Sequence, residues 1–79
     1  MSRYYFNIYN DADVLDDEGI ELADLATAKA EAIRSARSMM AEHLLAGKPI
    51  TLKHRIEIAD ARGQVLAAIF FGELITIVD

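Results

Sequence analysis

No cysteine occurs anywhere in this chain of 79 residues, so no disulfide can staple it and no thiolate can serve as a nucleophile. The absence matters because the chain is short. A single core of this size supplies only about 3–5 kcal/mol of stability when nothing staples it. Packing, a metal ion or a second subunit must make up the difference. Positive charge is scarce as well, with eight Lys and Arg against thirteen Asp and Glu and a formal net charge of −5. Phosphate backbones are gripped by clustered cations that release counterions, so nucleic acid is not an expected partner. The one basic run, Lys48 to Arg55, is short, and half of it should alternate into a strand. Long apolar runs are missing too. No window approaches the 18 residues of a membrane span, and Met1 to Tyr9 carries no apolar export segment. A cytoplasmic location and no membrane partner are therefore expected.

What is present is an apolar fraction of 53% beside 27% charged residues, which excludes a disordered tail and predicts a folded, water-soluble domain. There is no linker, repeat or low-complexity segment, so residues 1–79 are read as one domain.

Residues 3–9, RYYFNIY, alternate as a strand, with Tyr4, Phe6 and Ile8 on one face and Tyr5, Asn7 and Tyr9 on the other. Asn10, Asp11 and Asp13 supply turn chemistry. A short second strand then returns through Val14 and Leu15 or through Ile20 and Leu22, with Gly19 as a bend or bulge. Asp24 reads as the N-cap of a helix from Leu25 to Leu45, with Gly47 as the stop and Pro49 beyond. At 100° per residue its apolar stripe is Leu25, Ala28, Ala32, Ala36, Met39, Met40 and His43, flanked by Ile33 and Leu44. Residues 51–59 alternate again, with Leu52, His54, Ile56 and Ile58 facing one way. The segment Asp60-Ala61-Arg62-Gly63 suits a tight hairpin turn that sends the chain back through Val65 to Phe71. Both faces of that last strand are apolar, and Leu74 to Val78 is nearly as apolar. One helix can cover one face, so a second copy, another partner or the tail itself must cover the other.

Signals for chemistry are few. The stretch DADVLDDEGIEL, residues 11–22, holds six of the thirteen acidic residues, yet it does not scan as a calcium loop. Such a loop needs oxygen ligands at its first, third and fifth positions and glycine at its sixth. Starting at Asp11 puts Asp13 third, but Leu15 falls fifth and Asp16 sixth. The reading is a solvated acidic turn, with Asp11, Asp13, Asp16 and Asp17 as the weak candidates for a divalent cation or small ligand. His43 and His54 both turn towards the apolar side, where half-burial explains them better than a zinc pair. Ser35 and Ser38 lie on or near the outer side of the helix, and neither a Gly-x-Ser-x-Gly nor a glycine-rich phosphate loop appears. No catalytic constellation and no cofactor are expected. Tyr5 and Tyr9, on the face away from Phe6, and Phe71, Ile75 and Ile77 in the apolar tail are the candidate interface residues.

In order and spacing, RYYFNIYND, DDEGIELADLATAKAEA and RIEIADARGQVLAAIFF resemble a group of short bacterial proteins classed as a domain of unknown function and common in rhizobia and related soil bacteria. The likeness covers nearly the whole chain and is most specific from Asp17 to Ala32. It implies a cytoplasmic bacterial origin and a β-β-α-β-β order, and it carries no activity or ligand. The first strand of that family often has a histidine where Asn7 stands here. The sequence thus predicts an α+β domain, a small antiparallel sheet of four to five strands with one helix across one face. It predicts a non-enzymatic interaction module, a homodimer joined through the sheet face or edge of residues 65–78 or a binder of another protein, with cation or small-ligand binding by loop 11–18 as the alternative.

Overall fold

A computed structural model describes all residues from Met1 to Asp79, in the order β1 (Ser2–Tyr9), β2 (Asp13–Val14), β3 (Ile20–Leu22), α1 (Leu25–Leu45), β4 (Arg55–Ala59) and β5 (Val65–Phe70). A single 3₁₀ turn, Phe71–Glu73, follows β5. The five strands form one antiparallel sheet in the order β2-β1-β4-β5, with β3 also on β1. The expected α+β fold is what the chain adopts.

Register places Phe6 opposite Ile58 and Ile8 opposite Ile56, and on the next strand Ile69 and Ala67 opposite the same two isoleucines. These residues therefore share one face, and α1 lies over it. The core consists of Tyr4, Ile56, Ile58 and Phe71 with Ala28, Ala32, Ala36 and Met40 of the helix. The three alanines have no exposed surface at all, so the helix backbone rests close against the sheet. Leu25 and Met39 pack at its margin, as the stripe predicts. Leu44, expected on the flank of the stripe, is 70% exposed, and most of its neighbour Leu45 is exposed too.

Both ends of α1 follow their sequence signals. The Asp24 carboxylate accepts from the Thr27 amide at 2.8 Å, which satisfies one orphan donor of the first turn. At the other end Lys48 N–H donates to the His43 carbonyl and Gly47 N–H to that of Leu44, with Gly47 at φ 71°. This is a Schellman stop, which needs a residue without a Cβ penalty at the left-handed position.

Two strand boundaries differ from expectation. β4 starts at Arg55 rather than near residue 51, because His54 N–H bonds back to the Thr51 carbonyl and closes a turn just after Pro49. Leu52 is consequently half exposed and outside the core, although its carbonyl accepts from Gly72. The return after β1 uses both proposed segments, Val14 in β2 and Ile20 with Leu22 in β3, separated by a break. The hairpin between β4 and β5 forms as expected: Gly63 N–H bonds the Asp60 carbonyl at φ 84°, and the Asp60 carboxylate accepts from Arg62 and Gln64.

The molecule is thin. Only nine of 79 residues are buried, the extents are 42 × 23 × 17 Å, and the radius of gyration is 13.0 Å. A compact chain of this length would have a radius of gyration of roughly 11.5 Å. No helix is long and apolar enough to cross a membrane.

Candidate functional site

The break between β2 and β3 explains most of the acidic segment. Leu15 to Gly19 stands opposite Tyr5 to Asn7, five residues against three, so the backbone ladder cannot continue through it. The Asp16 side chain bridges the gap. One oxygen accepts from the Phe6 amide at 3.1 Å, the other from Glu18 and Gly19, both at 3.1 Å, while Asn7 Oδ1 accepts from the Asp16 amide at 2.9 Å. Partial burial pushes the Asp16 carboxyl upward, but the Phe6, Gly19 and Glu18 amides outweigh it and hold the group below its ordinary range. Gly19 sits at φ 70°, where an added Cβ would come within 3.0 Å of the Tyr4 carbonyl and of Arg3 and Tyr5 side-chain atoms.

The four candidate cation ligands are therefore not gathered. Asp16 spends both oxygens on backbone amides, Asp11 lies 3.8 Å from His54 Nε2, and Asp13 and Asp17 remain exposed. No three His, Cys, Asp or Glu side chains stand close enough together to hold a metal ion. His54 fills the end of the core, edge-on to Phe71 at 5.8 Å between ring centres, with its Nδ1 unpaired. His43 is half-buried at the end of α1.

The face of the sheet away from α1 carries the clearer arrangement. Register sets Tyr9, Arg55 and Phe70 in one row across β1, β4 and β5, and Asn7, Glu57 and Ala68 in the next. The Arg55 guanidinium lies 4.3 Å from the centre of the Tyr9 ring, and its Nε donates to Glu57 at 2.9 Å. Arg55 is thus held flat across the sheet by two neighbours. Tyr5, at the other end of the face, lines a shallow depression of about 310 Å³ with Asn7, Leu15, Ala59 and Ala61. A second, more open depression runs along the outer side of α1 past Ala30, Ile33 and Arg37.

The candidate interface residues separate. Tyr5 and Tyr9 lie on the open face, half-buried, and Ile77 is 80% exposed. Ile75 is half-buried against the margin of the core. Phe71 has to be corrected: it is 1% exposed and belongs to the core, because the chain turns at the end of β5 and carries its ring under α1. The tail after Glu73 joins no strand, so it leaves the outer edge of β5 unpaired. The expected joint through the face or edge of residues 65–78 includes this strand, whose run Val65 to Phe70 carries no charge and no proline; what the sequence does not give is that β5 stands outermost.

Its architecture makes this a small α+β domain, an open five-stranded antiparallel sheet backed by one helix. The chain belongs to the domain of unknown function family DUF6894, whose model matches residues 3–72. No curated protein and no solved structure matches it.

Proposed function

We propose that this protein is a non-enzymatic interaction module that self-associates through the β5 edge of its sheet. The observation that carries this reading is an outermost strand with no charged or proline side chain and an unguarded centre at Ala68. Sheet edges in monomers usually carry charges, prolines or bulges that discourage pairing, and from Ala67 to Phe70 β5 has none of these. Val65, Leu66 and Phe70 expose 49%, 38% and 38% of their surface along it. The thin core adds weight, since so short a chain gains stability by burying more apolar surface against a partner.

The test is solution mass by light scattering behind a sizing column, over a wide range of concentration. A species near twice the 8.8 kDa chain mass is expected. Phe70→Glu should weaken it by tenfold or more, roughly 1.4 kcal/mol, while leaving the helical circular dichroism intact. A monomer at every concentration would sink the reading.

A further inference from the structure

The backbone of β5 restricts how another strand can join it. Phe71 N–H donates to the His54 carbonyl at 2.9 Å, so residues 71, 69 and 67, in register with 54, 56 and 58, point their amides inward at β4. The groups of the residues between them point out. Phe70 N–H is already taken, by a Glu73 carboxylate oxygen at 3.2 Å. On the other side the register slips at Ile58 and Ala59, which makes Leu66 the bulged residue. Ala68 alone on this edge presents both a free N–H and a free carbonyl, with a side chain too small to block approach.

We infer that two copies of this chain join edge to edge with their β5 strands antiparallel and Ala68 opposite Ala68, each donating its N–H to the carbonyl of the other. This rests on the self-association proposed above and specifies its geometry. A donor and an acceptor on one residue are self-complementary about a two-fold axis, the symmetry of most homodimers. The same pairing sets Leu66 of one copy opposite Phe70 of the other, covering two exposed apolar side chains at each end. Beyond the two ends of β5, the same pairing brings the hairpin turn that carries Arg62 in one copy towards the 3₁₀ turn that carries Glu73 in the other. Arg62 forms no ion pair within its own chain, and neither does Glu73. Two Arg62 to Glu73 contacts across the axis complete the charge pattern. The two helices then lie on the same side of one continuous sheet, and the two open faces on the other.

The absence of native cysteine gives a clean test. Directly opposed residues in a hydrogen-bonded antiparallel pair have Cα atoms about 5.5 Å apart, within disulfide range. Ala68→Cys, oxidised under mild conditions, should cross-link to a covalent dimer much faster than Ala67→Cys or the helix-surface variant Lys29→Cys. If an unmodified chain is dimeric but Ala68→Cys cross-links no faster than Lys29→Cys, this pairing is wrong while self-association stands. If the unmodified chain is monomeric throughout, both fall. Arg62→Glu, an exposed change that does not touch the core, provides the second arm. It should weaken the dimer about three- to tenfold, more at low salt, and an unchanged dissociation constant at low salt would overturn the pairing.

Discussion

Asp16 shows how much one carboxylate does in a domain this small. It replaces the ladder where β2 and β3 cannot pair with β1, accepting three amide hydrogen bonds. Asp16→Ala leaves those amides without their partner and should cost roughly 2–3 kcal/mol, most of the stability available, read by urea titration. The pH dependence has a definite sign. Because the folded carboxyl is held low, its contribution is complete above the unfolded aspartate pKa of about 3.9 and is lost as pH falls through the lower folded value. Stability of the native chain should therefore fall between pH 5 and pH 3 more steeply than that of Asp16→Asn, measured by the same titration. The composition of the acidic segment pointed to a wet turn, and Asp11, Asp13 and Asp17 are exposed in that way. Asp16 differs because its role depends on a mismatch in strand length, and a mismatch across a hairpin is invisible until the register is known.

At the scale of elements, α1 was the most legible part of the chain. A capping aspartate, a stripe of alanines and a stopping glycine are local signals, and each acts within a few residues of where it stands. The hairpin at Asp60 to Gly63 was legible for the same reason. The start of β4 was not, because the alternation of Leu52 and His54 continues a strand pattern that a turn at Thr51 cuts short. Phe71 was misplaced through a similar ambiguity. An apolar residue at the end of an apolar run can face a partner or fold under a helix, and only the 3₁₀ turn decides it. The alanine stripe makes a prediction of its own. Ala32 has no exposed surface, so Ala32→Leu must push the helix off the sheet and should destabilise the fold by about 1–3 kcal/mol in a thermal melt, although leucine is a good helix former. An unchanged melting temperature would mean that the helix sits less tightly than the packing requires.

At the scale of the whole molecule, the chain is a single layer of sheet under a single helix, with few buried residues and an outer strand, β5, that has no charged side chain. The apolar character of residues 65–78 was readable from the sequence, but which strand would stand outermost was not. Strand order leaves β5 outermost, with Val65, Leu66, Ala68 and Phe70 exposed along it, while Phe71 turns into the core. The measurement that addresses this most directly is amide hydrogen exchange by nuclear magnetic resonance at several protein concentrations, comparing Ala68 with its neighbour Ile69. The Ile69 amide points at β4 and should be protected throughout. The Ala68 amide should exchange quickly in dilute solution and slow by an order of magnitude or more as concentration rises and a second edge pairs with it. Fast exchange at Ala68 at every concentration would contradict the account, because the edge would then be open to water alone.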